Sequence, residues 1–182
     1  MLKEKPKQEK ALVFCQFIKE MDIFQKAIQE AGFNTTRIDG SMSLEQRSDN
    51  VELFKTNPDV TVFLIQINTG GQGYNLQDAN WVYITSPTWN PAIEYQAIGR
   101  SHRTGQKKQV NVIQMIISTE HGTIEENIMD LQHKKRKIVA DILKDPTIEE
   151  AAKEHEAKKA RENLSVQDIM NLFRKRKVAS EK

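Results

Sequence analysis

One cysteine among 182 residues, Cys15, excludes an internal disulfide and a cysteine-based zinc site. It sits in the apolar run Leu12-Val-Phe-Cys15, which reads as core rather than nucleophile, and a reducing, intracellular compartment is the expectation. No apolar run approaches the roughly 18 residues that cross a bilayer, so no membrane partner is expected. The lysine-rich opening, Met1 to Lys10, is not followed by the apolar stretch of a secretory signal. Charge of one sign is scarce too: 27 Lys and Arg against 25 Asp and Glu leave a net +2. Residues 1–143 carry 17 of each sign, and the small excess, 10 basic against 8 acidic, lies in residues 144–182. Bulk charge therefore neither demands nor forbids a nucleic-acid partner, and any such binding must come from local placement. His102, His121, His133 and His155 have no metal-ligand spacing, so no metal site is expected. A GxxxxGK[ST] phosphate loop is missing as well.

What is present is an alternation of short apolar runs and helical periodicities. Residues 11–15 read as a buried strand, and Ile18 to Ala31 repeats apolar residues at helical spacing up to Gly32. Thr35 to Ile38 reads as a second strand. Ser43 with Gln46 forms a capping-box pattern that starts a helix over Leu44 to Phe54. Val60 to Ile67 is almost continuously apolar, the mark of a strand buried on both faces. The glycine-rich loop 69–73 follows, and then a strand over Trp81 to Thr85. A helix starts at Asn90-Pro91 and is expected to carry Glu94 to about Arg100. Val110 to Ile117 reads as a strand and Thr123 to Leu143 as a long helix. This alternation predicts an α/β fold: a parallel sheet with helices on both faces, plus a helical appendage beyond Pro146. Ligands in such sheets bind beyond the carboxyl ends of the strands.

Four stretches can carry chemistry. Arg100 and Arg103, three residues apart, face one side if the helix continues through them. Two guanidinium forks on one side suit a triphosphate, and they equally suit a solvated helix end. The glycines of Thr69-Gly-Gly-Gln-Gly73 let backbone N–H groups approach a phosphate, or simply make a strand-to-helix turn. Trp89, before Asn90-Pro91, is either a ligand-facing aromatic or packing on the sheet. Asp39-Gly40-Ser41 leads into a helix N-terminus, where free N–H groups can hold a phosphate or make a simple cap.

Taken in order, these stretches carry a resemblance. Leu12-Val-Phe-Cys-Gln-Phe17, Arg37-Ile-Asp-Gly-Ser41 with Arg47 following, Asn68-Thr-Gly-Gly-Gln-Gly-Tyr-Asn-Leu76, Trp89-Asn-Pro91 and Gln96-Ala-Ile-Gly-Arg-Ser-His-Arg-Thr-Gly-Gln106 succeed one another. Their succession resembles the second, RecA-like lobe of superfamily-two helicases, and more narrowly the Swi/Snf-type DNA translocases. The likeness covers about residues 10–143, with the helix from Gly122 to Leu143 resembling a "brace" that returns toward the first lobe. It implies a basic segment over residues 1–10, a lobe over 11–143 and a charged helical tail over 144–182.

The resemblance also implies roles. Arg100 and Arg103 match arginine fingers that reach ATP held with Mg²⁺ mainly on the first lobe. Gly73, Asn75 and Gln96 match positions near the nucleotide. Thr69, Gly70 and Gly71 match a loop coupling the ATP state to the DNA backbone. Gln16, Phe17, Gly40 and Ser41 match motifs whose N–H groups hold phosphates of the tracking strand, and Trp89 matches an aromatic coupling residue. The expected partners are double-stranded DNA and the N-terminal helicase lobe, with the tail a candidate site for a protein partner. Many relatives carry Thr-Arg where this sequence has Ile67-Asn68. The phosphate loop and the acidic Mg²⁺ motif of a first lobe are absent, so the chain alone is expected not to hydrolyse ATP. A non-catalytic module of translocase-like fold, and an RNA or branched-DNA substrate, stay open at this level.

Overall fold

The computed structural model describes residues 9–69 and 73–143. The tail at 144–182, including the basic run Arg174 to Lys177, and Gly70 and Gly71 of the glycine loop lie outside the described residues. The described chain runs β1 (Lys10–Cys15), α1 (Ile18–Glu30), β2 (Asn34–Ile38), α2 (Leu44–Thr56), β3 (Val60–Gln66), β4 (Ala79–Ile84), α3 (Pro91–Ile98), β5 (Asn111–Gln114) and α4 (Ile124–Leu143). One 3-10 turn over Ile67–Thr69 follows β3.

The five strands form one sheet in the order β2-β3-β1-β4-β5, with every neighbouring pair parallel. Side chains alternate between its faces with the two-residue period of a strand. Leu12, Phe14, Phe63, Ile65 and Val82 point to one face, where Val51 and Phe54 of α2 and Ala97 of α3 cover them. Ala11, Val13, Cys15, Val62, Leu64 and Tyr83 point to the other, covered by Met21 and Ile28 of α1. The register places Leu12 beside Phe63 and Val82, so β1 is the centre of both cores. Burial on both faces explains why β3 reads as an apolar run rather than an alternation. Cys15 belongs to this core, and burial pushes its thiol up to about 12.

Local signals set the helices. Ser43 caps α2: its Oγ accepts the Gln46 N–H at 3.2 Å, while Gln46 Oε1 accepts the Ser43 N–H at 2.9 Å. The Lys10 ammonium donates to the carbonyls of Phe54 and Asn57 at the other end, where the helix dipole favours a cation.

Two expectations from sequence shift here. The helix expected to reach Arg100 ends at Ile98, and the chain passes through successive turns over residues 99–105. The strand expected over Val110 to Ile117 is β5, four residues long, because its partner β4 stops at Ile84 and can offer no further ladder. Ile117 is accordingly exposed.

The chain divides into two compact units. Among the described residues, the first runs through residue 86 and takes up 93–115, and with them the whole sheet; the second holds 87–92 and continues from 116. Within the second, Thr123 and Glu126 make a capping box that starts α4. The amide of the buried Gln132 donates to the Thr88 carbonyl at 2.5 Å.

Candidate functional site

The connections from β1 to β2 and from β4 to β5 leave the sheet in opposite directions, so the crevice between the carboxyl ends of β1 and β4 is its switch point. Four candidate loops open along that edge: Gln16-Phe17 after β1, Asp39-Gly40-Ser41 after β2, Thr69 after β3 and Thr85-Ser86 after β4.

Polar side chains tie these loops to one another. Glu20, in the first turn of α1, accepts the N–H groups of Gln16 (2.9 Å) and Phe17 (3.3 Å) on one carboxylate oxygen. Its other oxygen accepts the hydroxyls of Thr85 (2.5 Å) and Ser86 (2.9 Å), which closes the switch point. Gln66, the last residue of β3, accepts the Gly40 N–H on Oε1 at 2.9 Å and donates from Nε2 to the Gln16 carbonyl at 3.4 Å. The Thr69 hydroxyl donates to the Gln66 main-chain carbonyl at 2.6 Å. Asp39 takes both the N–H and the hydroxyl of Ser41 on Oδ1, at 2.9 and 2.5 Å. Its Oδ2 pairs with Arg37 at 2.8 Å. Burial opposes the Asp39 charge, and the Ser41 bonds and the Arg37 guanidinium outweigh it, holding the carboxyl below its ordinary range.

The structure therefore brings Gln16, Phe17, Gly40, Ser41 and Thr69 to one edge, and the backbone N–H groups of the first four already hold acceptors of the chain itself. Phe17 is 66% exposed, and Gly40 and Ser41 are exposed as well. The Gly40 carbonyl accepts from Arg47 Nη2 at 3.3 Å.

The arginine segment is held separately, by residues around the start of β4. The Leu76 N–H donates to the Arg100 carbonyl at 3.0 Å, which joins the segment 73–76 to the turn bearing Arg100 and Arg103. The Ser101 hydroxyl, fully buried, donates to the Ala79 carbonyl. Gln106 Nε2 reaches the carbonyls of Gln77 (2.9 Å), Ala79 (3.0 Å) and Ser101 (3.4 Å). The Gln77 amide returns a bond to the Thr104 carbonyl. Gly105 sits at φ +105°, where an L side chain is strained, and a Cβ there would meet Gln77 at 3.3 Å.

On this frame Arg100 is half-buried and Arg103 exposed, with Gly73, Asn75 and Gln96 exposed too. Burial lowers the Arg100 pKa, partly offset by Tyr74, yet an arginine stays charged across physiological pH. Because the segment is a turn, the two arginines owe their placement to these bonds and not to helical spacing. The side chains of Arg100, Arg103, Asn75 and Gln96 all carry N–H donors, as a phosphate-rich ligand requires. Among the described residues no group of three or more His, Cys, Asp or Glu is gathered to hold a metal ion.

Trp89 lies in the second unit. It is half-buried, and the Lys135 ammonium stands over its ring at 4.5 Å from the centroid. No helix among the described residues is long and apolar enough to cross a membrane.

Sequence reasoning missed Glu20, Gln66 and the bracing role of Gln106. Glu20 had a signal, since an acidic residue three positions after Phe17 sits where a capping carboxylate belongs. Gln66 had a weaker one, as the polar residue interrupting the apolar run that ends at Ile67.

Comparison with known proteins gives the family. The family described as "Helicase conserved C-terminal domain" matches residues 1–105. The ATP-dependent helicase rhp16 of Schizosaccharomyces pombe is 34% identical over 173 residues, 95% of this chain and 18% of that protein. The chromatin-remodeling ATPase INO80 of Saccharomyces cerevisiae is 35% identical over 84% of this chain and 10% of its own length. The DNA repair protein RAD5 of Cryptococcus neoformans is 41% identical over 76% of this chain and 11% of its own. The chain thus spans less than a fifth of these relatives. Among solved structures, the C-terminal part of the Fun30 ATPase domain is similar at TM-score 0.66 and 33% identity, over 72% of this chain and 41% of that one.

Proposed function

Since the chain belongs to the helicase conserved C-terminal domain family, as the RecA-like C-terminal helicase domain of the SNF2 type, we propose that it is the second lobe of an ATP-dependent duplex-DNA translocase. Arg100 and Arg103 reach the phosphates of ATP held with Mg²⁺ on an N-terminal lobe. Asn75, Gly73 and Gln96 line the nucleotide side. ATP supplies the transferable phosphoryl group. The part of this chain is to bring fixed guanidinium donors to its developing charge when the lobes close. The Mg²⁺ ligands belong to the other lobe.

The observation that carries this reading is the Leu76–Arg100 backbone bond with its Ser101 and Gln106 braces. Two stretches far apart in sequence, each matching a nucleotide-side motif, are fixed against each other by the chain's own hydrogen bonds. Such preorganisation is what electrostatic stabilisation of a transition state requires.

DNA is assigned to the carboxyl edge. Gln16, Phe17, Gly40, Ser41 and Thr69, with the neighbouring glycines 70 and 71, receive backbone phosphates of one strand, so affinity falls steeply with salt. Trp89 couples the DNA and nucleotide sides. The parent protein acts inside the cell on DNA, and residues 144–182 are assigned to a protein partner.

The test is ATP hydrolysis by this chain with and without duplex DNA, alone and mixed with an N-terminal lobe. Activity in the mixture alone, abolished by Arg103→Ala, supports the reading. DNA binding without activity in either preparation favours a non-catalytic module instead. Parallel binding to duplex RNA and forked DNA separates the substrates.

A further inference from the structure

We propose that Gln66 is an affinity-setting residue of the carboxyl edge: its amide occupies the Gly40 N–H, and a DNA phosphate must displace it to bind there. The inference rests on the reading that Gly40 and Ser41 receive a backbone phosphate.

Three observations lead to it. The Gln66 Oε1 to Gly40 N distance is 2.9 Å, an ordinary hydrogen bond that fills the donor assigned to the phosphate. Gly40 is exposed, so a phosphate can approach it, and the lack of a side chain leaves the amide room at this distance. A Cβ at that position would stand 3.3 Å from Gln66 Oε1. Finally, Gln66 is bonded on every side to elements of the proposed tracking surface. Its Nε2 donates to the Gln16 carbonyl and its own carbonyl accepts the Thr69 hydroxyl, at the entrance to the glycine loop.

The energetics allow the exchange. A neutral amide acceptor on an exposed N–H contributes modestly, while a charged phosphate oxygen on the same N–H makes a bond roughly twice as strong. Phosphate therefore wins the donor, and the binding constant is reduced by the strength of the bond it replaces. Release of Gln66 also frees its Nε2 from Gln16, so occupation of the β2 loop is felt at the β1 loop. The route is a two-bond exchange through one side chain whose backbone anchors Thr69.

The experiment measures duplex-DNA affinity of the 182-residue chain, as a function of salt, for three variants checked for thermal stability. Gln66→Leu removes the competing acceptor while keeping the side chain's bulk, and is expected to tighten binding by about two- to tenfold, the ratio that one neutral hydrogen bond represents. Gln66→Glu keeps an acceptor on Gly40, adds a negative charge beside the phosphate, and is expected to weaken binding more than tenfold. Ser41→Glu, on an exposed position in the same loop, reports whether a phosphate lands there at all.

Opposite signs for the two Gln66 variants, with weakening by Ser41→Glu, support the proposal. Unchanged or weaker binding by Gln66→Leu, while Ser41→Glu still weakens it, overturns the proposal and leaves the DNA reading standing. No effect of Ser41→Glu, or no binding by the unmodified chain, overturns the phosphate assignment and this inference with it.

Discussion

Gln106 donates to the main-chain carbonyl of Gln77 at 2.9 Å, and through that bond a turn carrying two arginines is fixed to the start of a central strand. The same amide reaches Ala79 and Ser101, so one side chain joins the Leu76, Ser101 and Gln77 bonds in holding residues 99–105. Replacing it by alanine removes a donor shared by the Gln77 and Ser101 carbonyls in a partly buried place, while the Ala79 carbonyl keeps the Ser101 hydroxyl. Gln106→Ala is expected to cost about 1–2 kcal/mol of stability, or about 2–8 °C in melting temperature for a chain of this size. If the turn is a ruler for the arginines, the variant mixed with its N-terminal lobe also loses kcat while its KM for ATP and its affinity for duplex DNA hold. Calorimetry and steady-state kinetics read the two effects apart. An unchanged kcat alongside the stability loss would show that the brace is structural only.

The arginines themselves give a sharper split. Arg103 is exposed on the braced turn, so its removal leaves the fold intact. Arg103→Ala is expected to lower the DNA-stimulated ATPase rate of the assembled motor by about 10³-fold or more, the range of a lost arginine finger. Arg100→Lys keeps the charge and loses the two-pronged fork, and a rate loss there identifies geometry rather than charge as the requirement. Duplex-DNA binding by either variant is expected to stay within about twofold, because the proposed DNA surface sits at other loops. A parallel loss of DNA affinity would move the arginines to the DNA side.

Much of this architecture was legible in the sequence, and the rest was not, for a physical reason. The capping box of Ser43 and Gln46 and the apolar run of β3 are local: three residues or a period suffice to show them. The helix expected to reach about Arg100 ends at Ile98, a place decided by distant atoms. Ser101 buries its hydroxyl on Ala79, and Leu76 takes the Arg100 carbonyl, so the chain is drawn out of helical geometry just past Gly99. The overlong β5 has a similar cause, since a strand lasts only as long as its partner and β4 ends at Ile84. Gly40 and Ser41 stand in a motif that the sequence shows, yet nothing local announces that Gln66, from another strand, fills the Gly40 donor. Polar contacts between chain-distant residues leave no period.

Glu9 makes a prediction in pH. Its carboxylate accepts from the Trp81 indole N–H at 2.6 Å, from Asn80 at 3.0 Å and from Lys108 at 3.2 Å. The Trp81 and Asn80 bonds foremost, with Lys108 and against a smaller cost of burial, lower its pKa from 4.5 to about 2. A carboxyl lowered in the folded state contributes stability that is full above its unfolded value and is lost as the pH falls through the folded one. The contribution should therefore fade between about pH 4.5 and about pH 2. Melting temperatures of the wild type and Glu9→Gln are expected to differ most at neutral pH and to converge across that window. A constant difference down to pH 2 would remove the ion pair and indole bond from the account.

Glu20 is where fold and proposed function pull in different directions. Its carboxylate satisfies two N–H groups after β1 and two hydroxyls after β4, and so seals the switch point of the sheet. Those same N–H groups belong to the loop assigned to DNA phosphate, and a fixed negative charge beside them repels one. Glu20→Gln keeps an oxygen for the N–H groups and removes the charge. It is expected to destabilise the chain by about 1.5–3 kcal/mol, the range for hydrogen bonds to a charged group, measured by urea unfolding. Duplex-DNA affinity at low salt should rise by a few-fold in the same variant, and the gain should shrink as salt screens the lost repulsion. Loss of stability with loss of affinity would mean that Glu20 shapes the loop more than it repels the phosphate, and the β1 loop would then depend on its carboxylate to bind DNA at all.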